Sequence, residues 1–223
     1  MRERPVVAID GPAGAGKSTA SLRLAQRLGF VLVDTGALYR GVALAAREAG
    51  VGWDEGEALG ALTEALELTF VLGEGGIPLL HVAGVDRSVE IRTPEMSQGA
   101  SDVSRHGAVR AALLGLQQRL GAKGGVVLEG RDIGTVVFPD AEVKVYLTAT
   151  AEERARRRYE DLRARGIEAD LAEVQRKIEE RDAQDSGRAV APLKPADDAI
   201  IVDSSKMNLD EVVDELVRVV TSR

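Results

Sequence analysis

The chain has 223 residues, a net charge of -7 and no cysteine. That length suits one domain with room for an inserted sub-domain, and a chain this long buries a core without covalent staples. Without thiols, disulfides, Cys-ligated zinc and thiol catalysis are excluded; two histidines in unrelated contexts, His81 and His106, speak against a multi-histidine metal site, and the acidic balance speaks against a general nucleic-acid binder.

The opening MRERPVVAID passes from charge straight into a strand-like run and lacks the apolar stretch of a signal peptide. No apolar run approaches the ~18 residues of a membrane span, so the expectation is a soluble cytoplasmic protein. Val6 to Ile9 predict the first buried strand. GPAGAGKST then follows, between that strand and a helical pattern from Ser18 to Leu28. It matches G-x-x-x-x-G-K-[ST] in the right context. Its glycines let backbone N–H groups curl around a phosphate, and the helix start adds its positive end. Lys17 would reach the β/γ-phosphates and the Ser18 hydroxyl would ligate Mg²⁺. The loop, Gly11, Pro12, Ala13, Gly14, Ala15, Gly16, Lys17, Ser18 and Thr19, therefore predicts a nucleotide-phosphate site. Neither DxxG nor NKxD occurs, which sets GTPases aside and leaves small kinases.

Phe30 to Val33 predict the second strand. Asp34 ends it, Thr35 or a neighbour starts a helix, and Arg40 lies about one and a half turns in. This is either a second anion cradle or a capped helix with a solvated arginine. From about Thr63 to Asp102, short alternating runs between Gly-rich turns predict a small antiparallel insert. Arg92 closes it, and Ser101, Arg105 and Arg110 follow; each alone reads as a surface residue.

Val126 to Leu128 and Val143 to Leu147 predict the third and fourth strands. Between them EGRDIGTVVFPD sets Arg131 and Asp132 at the end of an apolar strand, which is expensive unless something meets the charges. Ala151 to Arg165 reads as a helix carrying Arg156, Arg157, Arg158, Arg163 and Arg165, either a lid or a solvated face. Arg181, Asp185 and Arg188, spaced by four and three, would share one face if helical, as a phosphoryl clamp or a salt-bridge ladder. AVAPLKP ends that helix. Ala199 to Val202 predict the fifth strand, and Asn208 caps a C-terminal amphipathic helix with Glu211 three residues on. Strand and helix in alternation predict a parallel sheet covered on both faces.

Together, GPAGAGKST, DTGALYRGVALAA, EIRTPEMSQGASDVS, EGRDIGTVVFPDAEVKVYL and ERDAQDSGRAVAPLKPADDAIIVDSS resemble the bacterial cytidylate kinases, of the nucleoside monophosphate kinase family, over essentially the whole chain. The resemblance implies an α/β P-loop NTPase three-layer fold with a five-stranded parallel sheet, an antiparallel β-containing NMP-binding insert at 63–102 and a short lid at 153–168. It implies transfer of the γ-phosphoryl group of ATP to CMP or dCMP, with Mg²⁺, by a monomer without nucleic-acid or membrane partners. Gly11 to Thr19 would bind ATP, with Arg158 in the lid and Ser204 and Ser205 beside the adenine. Thr35, Tyr39, Arg40, Arg92, Arg131 and Arg188 would hold the acceptor. Ser101, Arg110 and Asp132 would read the cytosine, with Asp132 accepting from its 4-amino group. Arg181 and Asp185 would face the ribose and the transferring group. Lys17, Arg131, Arg181 and Arg188 would form the catalytic set. Glu129 stands where the family often carries Asp, a position that would organise Mg²⁺ through water. The rivals are a kinase for another acceptor such as UMP or shikimate, and a non-catalytic nucleotide-binding module.

Overall fold

The computed structural model describes residues 2–222. β1 (Val6–Asp10) leads through the Gly-rich loop into α1 (Lys17–Leu28), then β2 (Val31–Asp34) and α2 (Thr35–Ala49). α3 (Gly56–Ala65) precedes β3 (Leu68–Leu72), β4 (Pro78–Val82) and β5 (Val85–Asp86); α4 (Pro94–Val103) and α5 (Gly107–Gly121) return to β6 (Val126–Gly130). β7 (Val143–Thr148), α6 (Ala151–Ala164), α7 (Leu171–Ser186), β8 (Ile200–Asp203) and α8 (Leu209–Thr221) follow.

The five apolar runs form one parallel sheet in the order β2-β6-β1-β7-β8. β1 and β6 are buried throughout because both faces are covered, which is why they read as continuous apolar runs. Val7 and Ile9 pack with Leu24 of α1 and Leu216 of α8, while Val6 and Ala8 pack on the other face with Leu128, Ile133 and Phe138. Register brings the strand ends level, with Asp10 opposite Gly130 and Asp34 opposite Glu129. Asp10, Asp34, Glu129 and the Gly-rich loop thus meet at the carboxyl edge, where open α/β sheets bind ligands.

The insert differs from its expected extent. Its antiparallel sheet, β3-β4-β5, covers only Leu68 to Asp86, whereas Thr63 lies within α3 and the stretch after Arg92 is helical. Thr93 caps α4 by accepting from the Met96 N–H at 3.1 Å, with Pro94 at the first helical position. Leu80 of β4 seats on α2 at Gly41, where a Cβ would come within 2.7 Å of it. The expected lid segment, 153–168, falls in α6 and the turn to α7. These two helices form a hairpin with a small core of their own, Ala155, Leu162, Val174 and Ile178. α8 begins in the expected capping box, Asn208 with Glu211. No helix among the described residues is long and apolar enough to cross a membrane.

Candidate active site

The Gly-rich loop turns on residues that only glycine serves well. Gly11 has φ +152°, and a Cβ there would lie 2.0 Å from the Leu147 carbonyl oxygen; Gly14 and Gly16 also lie at positive φ. Lys17 is buried and its Nζ donates to the carbonyls of Gly11 and Pro12 at 2.8 and 2.7 Å. Burial, then the Arg131 charge, pushes its ammonium well below the usual lysine range. Ser18 and Thr19 are exposed on the first turn of α1. Beside them Glu129 is buried, and its Oε1 has no hydrogen-bond partner among the described residues. Burial, then the Asp34 carboxylate, pushes the Glu129 carboxyl up; Lys17 and the Ser18 hydroxyl work against that.

Across the edge from the loop lies a cluster of arginines. Asp34 caps α2 by accepting from the Ala37 N–H at 3.0 Å, and Arg40 donates to the same carboxylate at 2.6 Å. Thr35 Oγ1 donates to the Glu129 carbonyl at 2.7 Å. Arg131 Nε donates to Asp185 Oδ2 at 2.9 Å, Arg188 Nη2 lies 3.6 Å from Asp185 Oδ1, and Arg181 Nε lies 4.0 Å from Oδ2. One buried carboxylate therefore serves three guanidiniums. Burial would raise the Asp185 carboxyl, but Arg131, Arg181 and Arg188 hold it below its ordinary value. Burial, then Arg131, brings Arg181 down to about 10. Arg40 Nε, Arg181 Nε and Arg188 Nη2 are buried without hydrogen-bond partners among the described residues. Unpaired buried N–H groups of this kind are costly.

Beyond the arginines lies a second ion pair. Arg110 and Asp132 are joined by a hydrogen bond, with Arg110 8% and Asp132 4% exposed. Arg110 also lies over the Tyr39 ring, 5.6 Å from its centroid, and burial pushes the Tyr39 phenol up to about 12. The Ser101 Oγ is buried here without a partner among the described residues, and the Ser104 hydroxyl accepts from Arg188 at 3.1 Å. The two charges at the end of β6 thus meet Asp185 and Arg110. Asp10 holds them in place: its two carboxylate oxygens accept from the Ile133 and Gly134 N–H groups, both at 2.8 Å. Those bonds fold Ile133 to Val137 into a single π-turn rather than a plain strand-to-strand turn.

The expected site residues divide accordingly. Lys17, Thr35, Tyr39, Arg40, Ser101, Arg110, Arg131, Asp132, Arg181, Asp185 and Arg188 gather around the carboxyl edge. Arg92 does not join by its side chain; it is exposed, and its carbonyl accepts from Arg165 at 2.8 Å. Arg158 pairs with Asp161 at 2.7 Å and feels the charges of Arg165 and Arg40. Its neighbour Arg157 lies at the Ser204 loop, donating to Ser204 Oγ at 3.0 Å and to its carbonyl at 2.7 Å. Sequence reasoning missed Arg157 in that place, and with it Asp10, Ser104, Arg154 and Asp182.

Comparison with known proteins identifies the family. The family model for cytidylate kinase matches residues 7–222. A cytidylate kinase of Syntrophotalea carbinolica is 52% identical over 223 residues, 100% of this chain and 94% of that protein. One from Geobacter sp. strain M21 is 51% identical over 98% of this chain and 93% of its own, and one from Pasteurella multocida is 46% identical over 96% and 93%. Among solved structures, an uncharacterised protein from Eubacterium ventriosum matches with TM-score 0.55 at 12% identity, over 99% of this chain and all of that one, a likeness of fold alone. A family model matched nearly from end to end, and full-length relatives about half identical, make this chain a member of the cytidylate kinase family.

Proposed function

We propose that the protein transfers the γ-phosphoryl group of ATP to CMP or dCMP, giving CDP or dCDP and ADP. One observation carries this beyond family membership: a surplus of buried guanidinium lies between a phosphate-binding loop and the Arg110–Asp132 pair. Such a surplus fits an acceptor phosphate next to a transferring one. The pair behind it fits a cytosine edge, with Asp132 accepting from the 4-amino group and Arg110 donating to the acceptor edge. Ser101, with its unpartnered hydroxyl, completes that pocket.

In this reading an acceptor phosphate oxygen attacks the γ-phosphorus in line and the β–γ bridging oxygen leaves with its electron pair. Lys17 and the loop amides cradle the donor phosphates. Arg131, Arg181 and Arg188 neutralise charge on the moving group, and Thr35 and Arg40 align the acceptor. Catalysis is then positioning and electrostatics; one such donor is worth roughly 10²–10³ in rate. A magnesium ion bound with the nucleotide would supply neutralisation of the triphosphate's negative charge. The Ser18 hydroxyl, with Glu129 and Asp34 behind it, offers the hard oxygen donors that suit it, and one Glu129 oxygen has no other partner among the described residues. The stretches 63–102 and 153–168 serve as acceptor insert and lid, closing to keep water from the γ-phosphoryl group. We place the enzyme in the cytoplasm as a monomer.

The test is ADP release from Mg·ATP with CMP, dCMP, UMP, AMP and shikimate added separately. Turnover with CMP and dCMP far ahead of the rest is expected. Turnover mainly with another acceptor overturns the base assignment, and none with any acceptor favours a binding module.

A further inference from the structure

We propose that Arg154 and Asp182 are positioning residues that couple the seat of the donor loop to the acceptor clamp through α7; this rests on the phosphoryl-transfer reading above. Ile178, Asp182 and Asp185 recur at i, i+4 and i+7, so they share one face of α7. That face touches both halves of the site. Ile178 packs on Gly14, where a Cβ would lie 3.3 Å from its Cδ1. Asp182 Oδ1 accepts from the Ala13 N–H at 3.1 Å and Oδ2 accepts from Arg154. Arg154 in turn donates to the Ala13 carbonyl at 2.9 Å and to the Ala149 carbonyl at 3.0 Å. The Ala13 residue of the donor loop is therefore gripped at both its N–H and its C=O by a charged pair, with Arg154 only 7% exposed. One turn further on, Asp185 holds Arg131 at 2.9 Å.

These contacts form a continuous chain from Ala13 through Asp182, one helical turn of α7 and Asp185 to Arg131. Arg181 lies beside Asp182 on the same turn and acts electrostatically on Lys17. A shift of the loop on filling with phosphate is carried to α7 as a rigid element, and so to Arg181 and the acceptor clamp. Gly14 makes this possible, since a side chain there would push Arg154 and Ile178 away. A pair that merely braced the lid base would lower the melting temperature and leave communication between the two substrates intact.

The experiment measures that communication. Isothermal titration gives the affinity of a non-hydrolysable ATP analogue with and without CMP, and of CMP with and without the analogue; the two ratios must be equal by linkage. The wild type is expected to show mutual tightening of about tenfold. Asp182→Asn keeps an acceptor for the Ala13 N–H but turns an amide donor toward Arg154. It is expected to bring the ratio close to one while CMP alone binds within about twofold of wild type. Arg154→Met should do the same, and Arg154→Lys, which keeps the charge but not the fork, should restore part of the ratio. If Asp182→Asn does not fold, the Lys and Met variants carry the comparison. Undiminished tightening in folded variants, or equal loss of CMP affinity alone, overturns the proposal. So does a wild type that turns over CMP without any tightening. Absence of CMP turnover in the wild type strikes the functional reading instead.

Discussion

Asp132→Asn tests the base assignment most directly, because the structure decides which way the new amide turns. Arg110 has five N–H donors and no acceptor. Apart from Asp132, among the described residues it reaches the Ser104 carbonyl, at 3.4 Å, and the Tyr39 ring. The amide oxygen must therefore stay on Arg110, which leaves the NH₂ group facing the base. Losing the charge on that bond costs about 1–2 kcal/mol of stability, a fall of about 2–4 °C per kcal/mol in a chain of this size. Asp132→Ala would leave a buried guanidinium unpaired, at about 3–5 kcal/mol, and is the poorer probe.

For specificity the effect has two parts. CMP loses an acceptor for its 4-amino group and meets a donor instead, while UMP gains a donor for its 4-oxygen. Each pairing is worth about 1–3 kcal/mol, so the CMP/UMP ratio of kcat/KM should fall by about 2–6 kcal/mol, roughly 30- to 25,000-fold. The assay is initial-rate ADP release with each acceptor, beside a thermal melt. A lowered melting temperature with the ratio unchanged would refute the reasoning and leave Asp132 as a brace for Arg110.

The remaining predictions concern the donor side. Burial raises the Glu129 carboxyl from 4.5 to about 7, so its stabilising contribution is present below pH 4.5 and is lost as pH rises through about 7. Glu129→Gln should therefore raise the melting temperature of the ligand-free protein at pH 8 relative to pH 5, while Mg·ATP-dependent turnover falls; a pH-independent change counts against the buried-charge argument. Burial and Arg131 depress Lys17, and a triphosphate should restore its charge, so donor binding at pH 8 should take up protons. Calorimetry in buffers of different ionisation heat reads that uptake directly, and zero linkage would refute it. Gly14→Ala places a Cβ 3.0 Å from the Arg154 carbonyl oxygen at φ +75°, so it should cost about 1–3 kcal/mol and weaken donor binding with CMP affinity retained. An unchanged melt and unchanged donor affinity would show that the loop yields there freely.

What could be read in advance follows from where each residue's partner lies. The donor loop was legible because its geometry is local: glycines, lysine and helix start are contiguous. Asp34, Thr35 and Arg40 were legible for the same reason, as the end of one strand and the start of one helix. Arg157 and Arg158 could not be separated by type, since neighbours on a helix point about 100° apart and one step moves the guanidinium from the Ser204 loop to Asp161. The apolar run after Asp132 read as strand and turn because nothing in it announces that Asp10, more than 120 positions earlier, takes its N–H groups. Arg154 and Asp182 were invisible because what they grip is the backbone of Ala13, which any residue could supply.

The charges at the end of β6 show the limit most clearly. Residue type signalled that Arg131 and Asp132 must be met, and the expected partners were the phosphate and base of a substrate. In the ligand-free fold they are already met, by Asp185 and Arg110. That pairing lets an apolar strand end in two charges without a substrate present. It also changes what binding must do. On the function proposed above, the acceptor would not enter a site of bare charges; it would exchange with, or add to, ion pairs that hold their geometry beforehand. The arginines around Asp185 outnumber their carboxylate, so an incoming dianion would supply the missing negative charge there. Arg110 and Asp132 balance, so a neutral ring edge would be matched there by directed hydrogen bonds instead. The same stretch of sequence thus sets two neighbouring charges in surroundings of different net sign.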